Sequence, residues 1–330
     1  MMETSTHKDL KIAVVIPYYN AAGQIGRVIS KLPSFITMVI IVDDKSPQPL
    51  PQQEIRDVLH PEIKCRFLEN EVNLGVGGAT KNGFLHALEN GIDIVIKVDA
   101  DDQMDLSYIP KMLKSMSDSG AAVAKGNRFR DLKALKKMPM GRRVGNLCLS
   151  FLIKAATGYW NNFDPTNGYL AIRTSLLREI DFSKLSDRYY FETSLLSEFY
   201  FQKAAVMDVP MPAIYGDEKS SMNIWKMPFV FGGKLAKTFV KRILKEYFLY
   251  DFNIASLFLL LGGPLFTFGV VFGIVEWVHY ARLDVLAPTG TIMIVTLSII
   301  LGFQLLLQAV QYDIIHAPKA KRGQADGTLG

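Results

Sequence analysis

Cysteine is scarce in this chain. Cys65 and Cys148 are the only two among 330 residues and stand in unrelated contexts. Neither a disulfide framework nor a cysteine metal site follows, which suits a reducing compartment. The five histidines, His7, His60, His86, His279 and His316, are scattered, with no HExxH pair to hold zinc. A GxSxG elbow is also missing, so hydrolase chemistry has no support. The glycines of NLGVGGATKNGF (73–84) match neither the Rossmann GxGxxG nor the P-loop spacing. Neither sign of charge dominates: the formal net charge of +5 is too small to argue for a nucleic-acid partner, and none is expected.

The longest gaps are gaps in charge. Residues 254–275 carry none for 22 positions and residues 285–312 none for 28. Each run can cross a hydrocarbon layer about 30 Å thick as a helix. The expectation is a transmembrane hairpin, with helices over about 254–278 and 290–312, and a tail at 314–330. Lys234, Lys237, Lys241, Arg242 and Lys245 precede it, and Lys319, Lys321 and Arg322 follow. The loop between offers Arg282 against Asp284. The positive-inside rule then puts both termini and the N-terminal region in the cytoplasm, in an inner-membrane protein. The polar start MMETSTHKDLKI reads as lacking a secretory leader. In residues 226–250 the lysines share one helical stripe with apolar residues mostly opposite, which predicts an amphipathic helix along the membrane surface.

The first 225 residues read as one domain. Apolar runs at 12–19, 38–44, 65–70, 93–100 and 121–126 alternate with helical spacing, the pattern of a mainly parallel α/β sheet covered on both faces. KALKKMPMGRR (133–143) reads as a basic connecting loop. Ligands of such folds bind at the carboxyl ends of the strands, and Asn20, Asp43, Asp44, Asp99 and Asp101 fall there. KVDADDQMD (97–105) puts four acids within seven positions after an apolar run. Repelling carboxylates do nothing for folding, so a cation is expected there. Asp99 and Asp101, with Gln103 adding a carbonyl oxygen, suit Mg²⁺ or Mn²⁺, and Mg²⁺ recruits substrate phosphates. Asp105 or Ser107 would cap the following helix. Asp43 and Asp44 could accept hydrogen bonds from a ribose or a base, or order the proline-rich turn after them. The glycine loop at Gly75, with Lys81 behind it, could meet an anion at a helix start or serve close packing. Arg128, Arg142 and Arg143 are natural partners for phosphate.

In order along the chain, IPYYN, VDDKS, NLGVGGATKNGF, VDADDQ, GNRF and FDPTNGY resemble glycosyltransferase family 2, in its dolichyl-phosphate mannosyltransferase-like and bacterial polyprenyl-phosphate branch. The likeness covers about residues 10–215. It implies a GT-A fold, a divalent cation, and inverting transfer of one sugar from a nucleotide sugar (UDP first, GDP second) to a polyprenyl phosphate for envelope or glycan synthesis. By the same likeness, Pro17, Tyr19, Asn20, Asp43, Asp44, Gly75, Lys81, Asp99 and Ala100 would hold the nucleotide sugar. Asp99, Asp101 and Gln103 would bind the metal. Arg128, Arg142, Arg143, Asp164 and Asn167 would face the acceptor phosphate. Asp101, Arg128 and Glu192 would carry the chemistry. The sequence departs from the family at Ala21, where an acid is usual, and at Leu170, where an arginine is frequent. No QxxRW follows, which favours one transfer over chain synthesis. A hydroxyl acceptor activated by Glu192, and a catalytically silent scaffold, are the alternatives. Association of copies through the membrane helices is compatible with the pattern.

Overall fold

The computed structural model describes residues 10–128, 140–212 and 227–320. The chain divides into two compact units. One is formed by the chain up to Thr238 with the segment from Pro318, the other by Phe239–Ala317.

The first unit is built on a seven-stranded sheet. Its strands are β1 (Ile12–Tyr18), β2 (Met38–Asp43), β3 (Lys64–Glu69), β4 (Ile94–Lys97), β5 (Val123–Asn127), β6 (Leu170–Arg173) and β7 (Val206–Pro210). They lie in the order β3-β2-β1-β4-β6-β5-β7. Every pairing is parallel except those of β6, which runs antiparallel to β4 and β5. β1, β2 and β4 are buried along their whole length. Continuous apolar runs such as AVVI and VIIV therefore suit a sheet with both faces covered. In register, Tyr18 lies beside Asp43 and Val15 beside Lys97, which brings the polar ends of these strands together.

Two apolar layers cover the sheet. On one face, Ile25 and Val28 of α1 (Ala22–Ser30), Ile55 of α2 (Gln52–Val58) and Met112 and Met116 of α4 (Ile109–Ser119) pack on Val14, Ile16 and Ile41. On the other, Phe84 of α3 (Val76–Glu89), Leu177 of α6 (Thr174–Glu179) and Phe191 and Phe199 of α7 (Phe191–Phe201) pack on Val15, Ile40 and Val95. Asp105 accepts from Ser107 N at 3.0 Å and opens the turn before α4, the cap expected at this position. β6 and β7 have no counterpart in the sequence reading, because LAIR and VMDVP are short. The basic stretch 133–143 reads as a loop, yet Met140–Thr157 forms an 18-residue helix, α5. Residues 129–139 lie outside the described part.

α8 spans Met227–Leu244 and continues into one wide turn, Lys245–Tyr250. The boundary between the units falls inside this helix, at Thr238. Phe231 and Leu235 are buried while Lys234 and Lys237 are exposed, so the helix is two-faced where described. The second unit contains α9 (Ile254–Leu283) and α10 (Thr289–Ile315), both long and apolar enough to cross a membrane. Asn253 opens α9 by a reciprocal cap: its side chain accepts from Ala255 N, and its own N donates to Ser256 Oγ, both at 2.9 Å. The pair packs through small residues. A Cβ on Gly302 would stand 2.5 Å from Phe266 N, so only glycine allows this approach. Below the pair, Arg242 grips Asp313 with two bonds of 2.7 and 2.9 Å, and Tyr247 donates to the same carboxylate at 2.5 Å.

Candidate active site

Two cavities meet at the carboxyl ends of β1 and β4, and both are lined by Asp99, Asp101 and Val76. The smaller, about 250 Å³, is walled by Pro17, Tyr19, Asn20, Asp44 and Ala100 among others. The larger, about 390 Å³, takes in Gln103, Arg128, Asn167 and Glu192 on its polar side, and Leu149, Ile153, Phe231 and Leu235 on an apolar side. Sheet order explains the junction. β1 and β4 are neighbours, so the turns leaving them open on the same rim.

The acidic turn is held from within and from α1. Asp101 accepts from Gln103 N at 3.1 Å. Asp102, at φ 61°, turns away and is gripped by Arg27 of α1 and by Lys31 just after it, at 3.2 and 2.6 Å. Asp99 meets Lys97 Nζ at 2.6 Å, and the same ammonium reaches Glu192 Oε1 at 3.5 Å. Burial alone would lower the Lys97 pKa. Asp99 and Glu192 more than reverse it, so Lys97 stands above the ordinary lysine value. Gly168 makes room for this contact. A Cβ there would lie 2.6 Å from Lys97 Nζ and 3.2 Å from both Asp99 Oδ2 and Glu192 Oε1.

Arg128, at the end of β5, is held by the fully buried Asp164, with Nε to Oδ2 at 2.8 Å and Nη2 to Oδ1 at 3.2 Å. Burial raises the Asp164 pKa, but the Arg128 guanidinium and Lys125 outweigh it and hold the carboxyl below its usual range. Lys125 is buried under the same floor and donates to the Asn167 carbonyl. Burial pushes its pKa down to about 8 against the opposing pull of nearby acids.

Several expected ligands turn out to hold the frame. Asp44 lines the smaller cavity, but its Oδ1 accepts from Asn70 Nδ2 at 2.7 Å and Leu74 N at 2.9 Å, and its Oδ2 from Gly75 N at 2.7 Å. Its carboxylate fixes the loop before α3. Asp43 accepts from Ser46 N at 2.9 Å and orders the proline-rich turn. Lys81 pairs with Asp187 and reaches the Leu185 carbonyl. Neither cavity is lined by Asp43, Gly75, Lys81 or Asp164. Asn167 does line the larger one, but its amide is engaged with Gly126 O at 2.9 Å and Tyr169 N at 3.1 Å. The structure brings Pro17, Tyr19, Asn20, Asp99, Ala100, Asp101, Gln103, Arg128 and Glu192 to the cavities. Arg142 and Arg143 fall in the first turn of α5, and their side chains lie outside the described part.

Lys97 and Lys125 were not foreseen. The signal was present, since each lysine sits inside an apolar run, DIVIK and AAVAK, and a buried ammonium must find carboxylates or carbonyls. The apolar wall from α5 and α8 carried no such signal.

Two carboxylates, Asp99 and Asp101, suit a divalent ion that draws its other ligands from water and a diphosphate. Among the described residues no group of three or more His, Cys, Asp or Glu could hold a metal ion without such help.

Comparison with known proteins bears on this arrangement. Residues 13–181 match the family model for Glycosyl transferase family 2. The chain is 30% identical over 219 residues to the UDP-N-acetylglucosamine–dolichyl-phosphate N-acetylglucosaminyltransferase of Methanococcus voltae, covering 63% of this chain and 87% of that one. It is 24% identical over 222 residues to the undecaprenyl-phosphate mannosyltransferase of Micrococcus luteus, covering 65% and 89%. Among solved structures, mannosyl-3-phosphoglycerate synthase from Rubrobacter xylanophilus superposes with a TM-score of 0.54 at 15% identity, covering 74% of this chain and 77% of that one. Glucosyl-3-phosphoglycerate synthase from Mycobacterium tuberculosis, in complex with Mn²⁺, UDP and phosphoglyceric acid, superposes at 0.52 with 17% identity, covering 74% and 81%. The sheet order and these likenesses make the fold GT-A.

Proposed function

Because the chain belongs to glycosyl transferase family 2 and is a glycosyltransferase, we propose that it moves one sugar from a nucleotide sugar to the phosphate of a polyprenyl phosphate. The observation that carries this reading is the pair of cavities sharing Asp99 and Asp101. A nucleotide fits the smaller, between Tyr19, Asn20 and Ala100. The acceptor fits the larger, which offers Arg128 on one side and an apolar wall on the other. The relatives named for dolichyl and undecaprenyl phosphate support this choice of acceptor.

In the reaction proposed, a phosphate oxygen of the acceptor attacks the anomeric carbon from the side opposite the leaving group, giving inversion. The bond to the nucleoside diphosphate breaks, and the diphosphate leaves with the electron pair. A divalent ion, Mg²⁺ or Mn²⁺, held by Asp99 and Asp101 with Gln103 beside them would supply positive charge to the leaving diphosphate. Lys97 holds Asp99 in place and reaches Glu192 across the cavity floor. Arg128, aligned by Asp164, presents a guanidinium toward the acceptor phosphate. That phosphate has a second pKa of about 6, so it needs no base to attack. Glu192 engaged with Lys97 agrees with a reaction in which it is not the base.

The apolar pair α9 and α10 would attach the enzyme to the membrane, with the GT-A unit and both termini on the cytoplasmic side, as the lysines and arginines flanking the pair suggest. UDP is the donor nucleotide first to be tried, since the relative from Methanococcus voltae is named for a UDP-sugar.

The test uses the purified full chain with undecaprenyl phosphate, Mn²⁺ and a panel of labelled UDP- and GDP-sugars, scoring label that enters the organic phase. Transfer from one donor, lost with EDTA, is expected. Transfer only to a saccharide or lipid hydroxyl, abolished by Glu192→Gln, would replace the reading with a hydroxyl-acceptor enzyme.

A further inference from the structure

Asp102 is the one residue from Asp99 to Asp105 that borders neither cavity. The backbone explains its place. Asp101 accepts from Gln103 N across it, and Asp102 itself holds a φ of 61°, which aspartate tolerates better than most residues. Its carboxylate meets the end of α1 instead. Arg27 Nε stands 3.2 Å from Oδ2 and Lys31 Nζ 2.6 Å from Oδ1. Arg27 is anchored a second time, donating Nη1 to the Gly23 carbonyl at 2.9 Å. The two bases are four residues apart and so share one side of the helix end, while Ile25, Val28 and Ile29 are buried against the sheet. An isolated ion pair at a surface contributes little. Here two bases close on one carboxylate that is 15% exposed, and that carboxylate belongs to the turn carrying Asp101 and Gln103. Repulsion among the acids of this turn works to open it. Two cations drawing on its outer side oppose that.

We propose that Asp102 is a positioning residue for the divalent cation: through it, Arg27 and Lys31 clamp the acidic turn so that Asp101 and Gln103 stay turned to the cavities. This rests on the cation proposed above for Asp99 and Asp101, and it adds three residues that touch neither the ion nor a substrate. Charge separates a clamp from plain electrostatics. Arg27 and Lys31 are positive groups near a cation site, and by Coulomb's law alone their removal would tighten cation binding. A clamp demands the reverse: without them the turn loosens and the cation is held less well.

The test reads cation binding and needs no turnover. The purified full chain in detergent, with saturating UDP, is titrated with Mn²⁺ while the free ion is followed by electron paramagnetic resonance. Asp102→Asn keeps a residue that tolerates the positive φ and removes the charge. Arg27→Gln with Lys31→Gln removes the other half of the clamp. Each should raise the Mn²⁺ dissociation constant by about five- to tenfold, the scale of a small network of ion pairs. All three substitutions together should add nothing further, because the clamp is already open. Mn²⁺ bound as tightly as in the wild type, or more tightly, by the Arg27→Gln/Lys31→Gln chain would reduce these residues to background charge and overturn the proposal. Wild-type binding in Asp102→Asn would overturn it equally. A wild type that binds no Mn²⁺ with either UDP or GDP would instead remove the cation itself, and with it both the proposed reaction and the clamp. If the double substitution unfolds the chain, Lys31→Gln alone, at a half-exposed side chain, carries the same test with the same sign.

Discussion

Each unit of the molecule buries a cation among carboxylates. In the GT-A unit Lys97 stands between Asp99 and Glu192. In the helical unit Arg242 is bound to both oxygens of Asp313, whose carboxylate also takes the Tyr247 hydroxyl. The second cluster is closed, with the Arg242 side chain fully buried and Asp313 nearly so. The first is open. It forms part of a cavity wall whose acids, Asp99, Asp101, Asp105 and Glu192, outnumber its bases, Lys97 and Arg128. A closed cluster balances its charge and serves architecture. An open one leaves negative potential facing a space, and a ligand must complete it.

The two clusters should be damaged independently. Asp101→Ala should cut sugar transfer by about 10²–10³-fold or more, the scale of losing one preorganised electrostatic group, with no loss of melting temperature. Activity near wild type would remove Asp101 from the site. Arg242→Met should do the reverse. It removes the guanidinium from the buried Asp313 carboxylate, at a cost of about 3–5 kcal/mol, read as a lower unfolding midpoint in detergent. Adding Asp313→Leu should recover much of that loss, and failure to recover would show that the pair is not acting as a unit.

A smaller effect sharpens the contrast. Lys97→Met leaves Asp99 and Glu192 facing each other without the ammonium, costing about 1–3 kcal/mol and lowering transfer. Glu192→Gln added to it should restore part of both, because it removes the repulsion. A double variant no better than the single would mean that Lys97 acts on Asp99 alone. The smallest expected effect is a pH slope. Burial holds Lys125 at about 8, below the free lysine value of about 10.4. Between those values the unfolded chain binds the extra proton, so stability should rise with pH across that window. Lys125→Met should flatten this rise in melting temperature, and an unchanged slope would assign it to other groups.

How much of this was legible depends on whether a residue's partner is near in sequence. Asp99 and Asp101 stand out because acids end an apolar strand, and nothing distant is needed to see that. The Asp105 cap has its partner two residues on. Asp44 is ambiguous in one dimension, since a strand-end carboxylate can serve a ligand or a loop. The amides of Leu74 and Gly75 that take it up lie about 30 residues away. Asp164 likewise reads as an acceptor contact until folding brings Arg128 to it from 36 positions upstream. β6 escapes because four residues show no period. α5 escapes because its basic start imitates a loop and its two apolar faces blur the usual one-sided stripe. The hairpin was the easiest part, as length without charge suffices, although α9 and α10 run to Leu283 and Ile315, a few residues beyond the expected ends.

The rim common to the two cavities has a kinetic consequence. Asp99, Asp101 and Val76 belong to both, so whatever occupies the smaller cavity also finishes one wall of the larger. In the reaction proposed above, substrates would then enter in a preferred order, nucleotide sugar before lipid. The products would leave in the converse one: the glycosylated lipid first, and the nucleoside diphosphate last, competing with the next donor but not with the next acceptor.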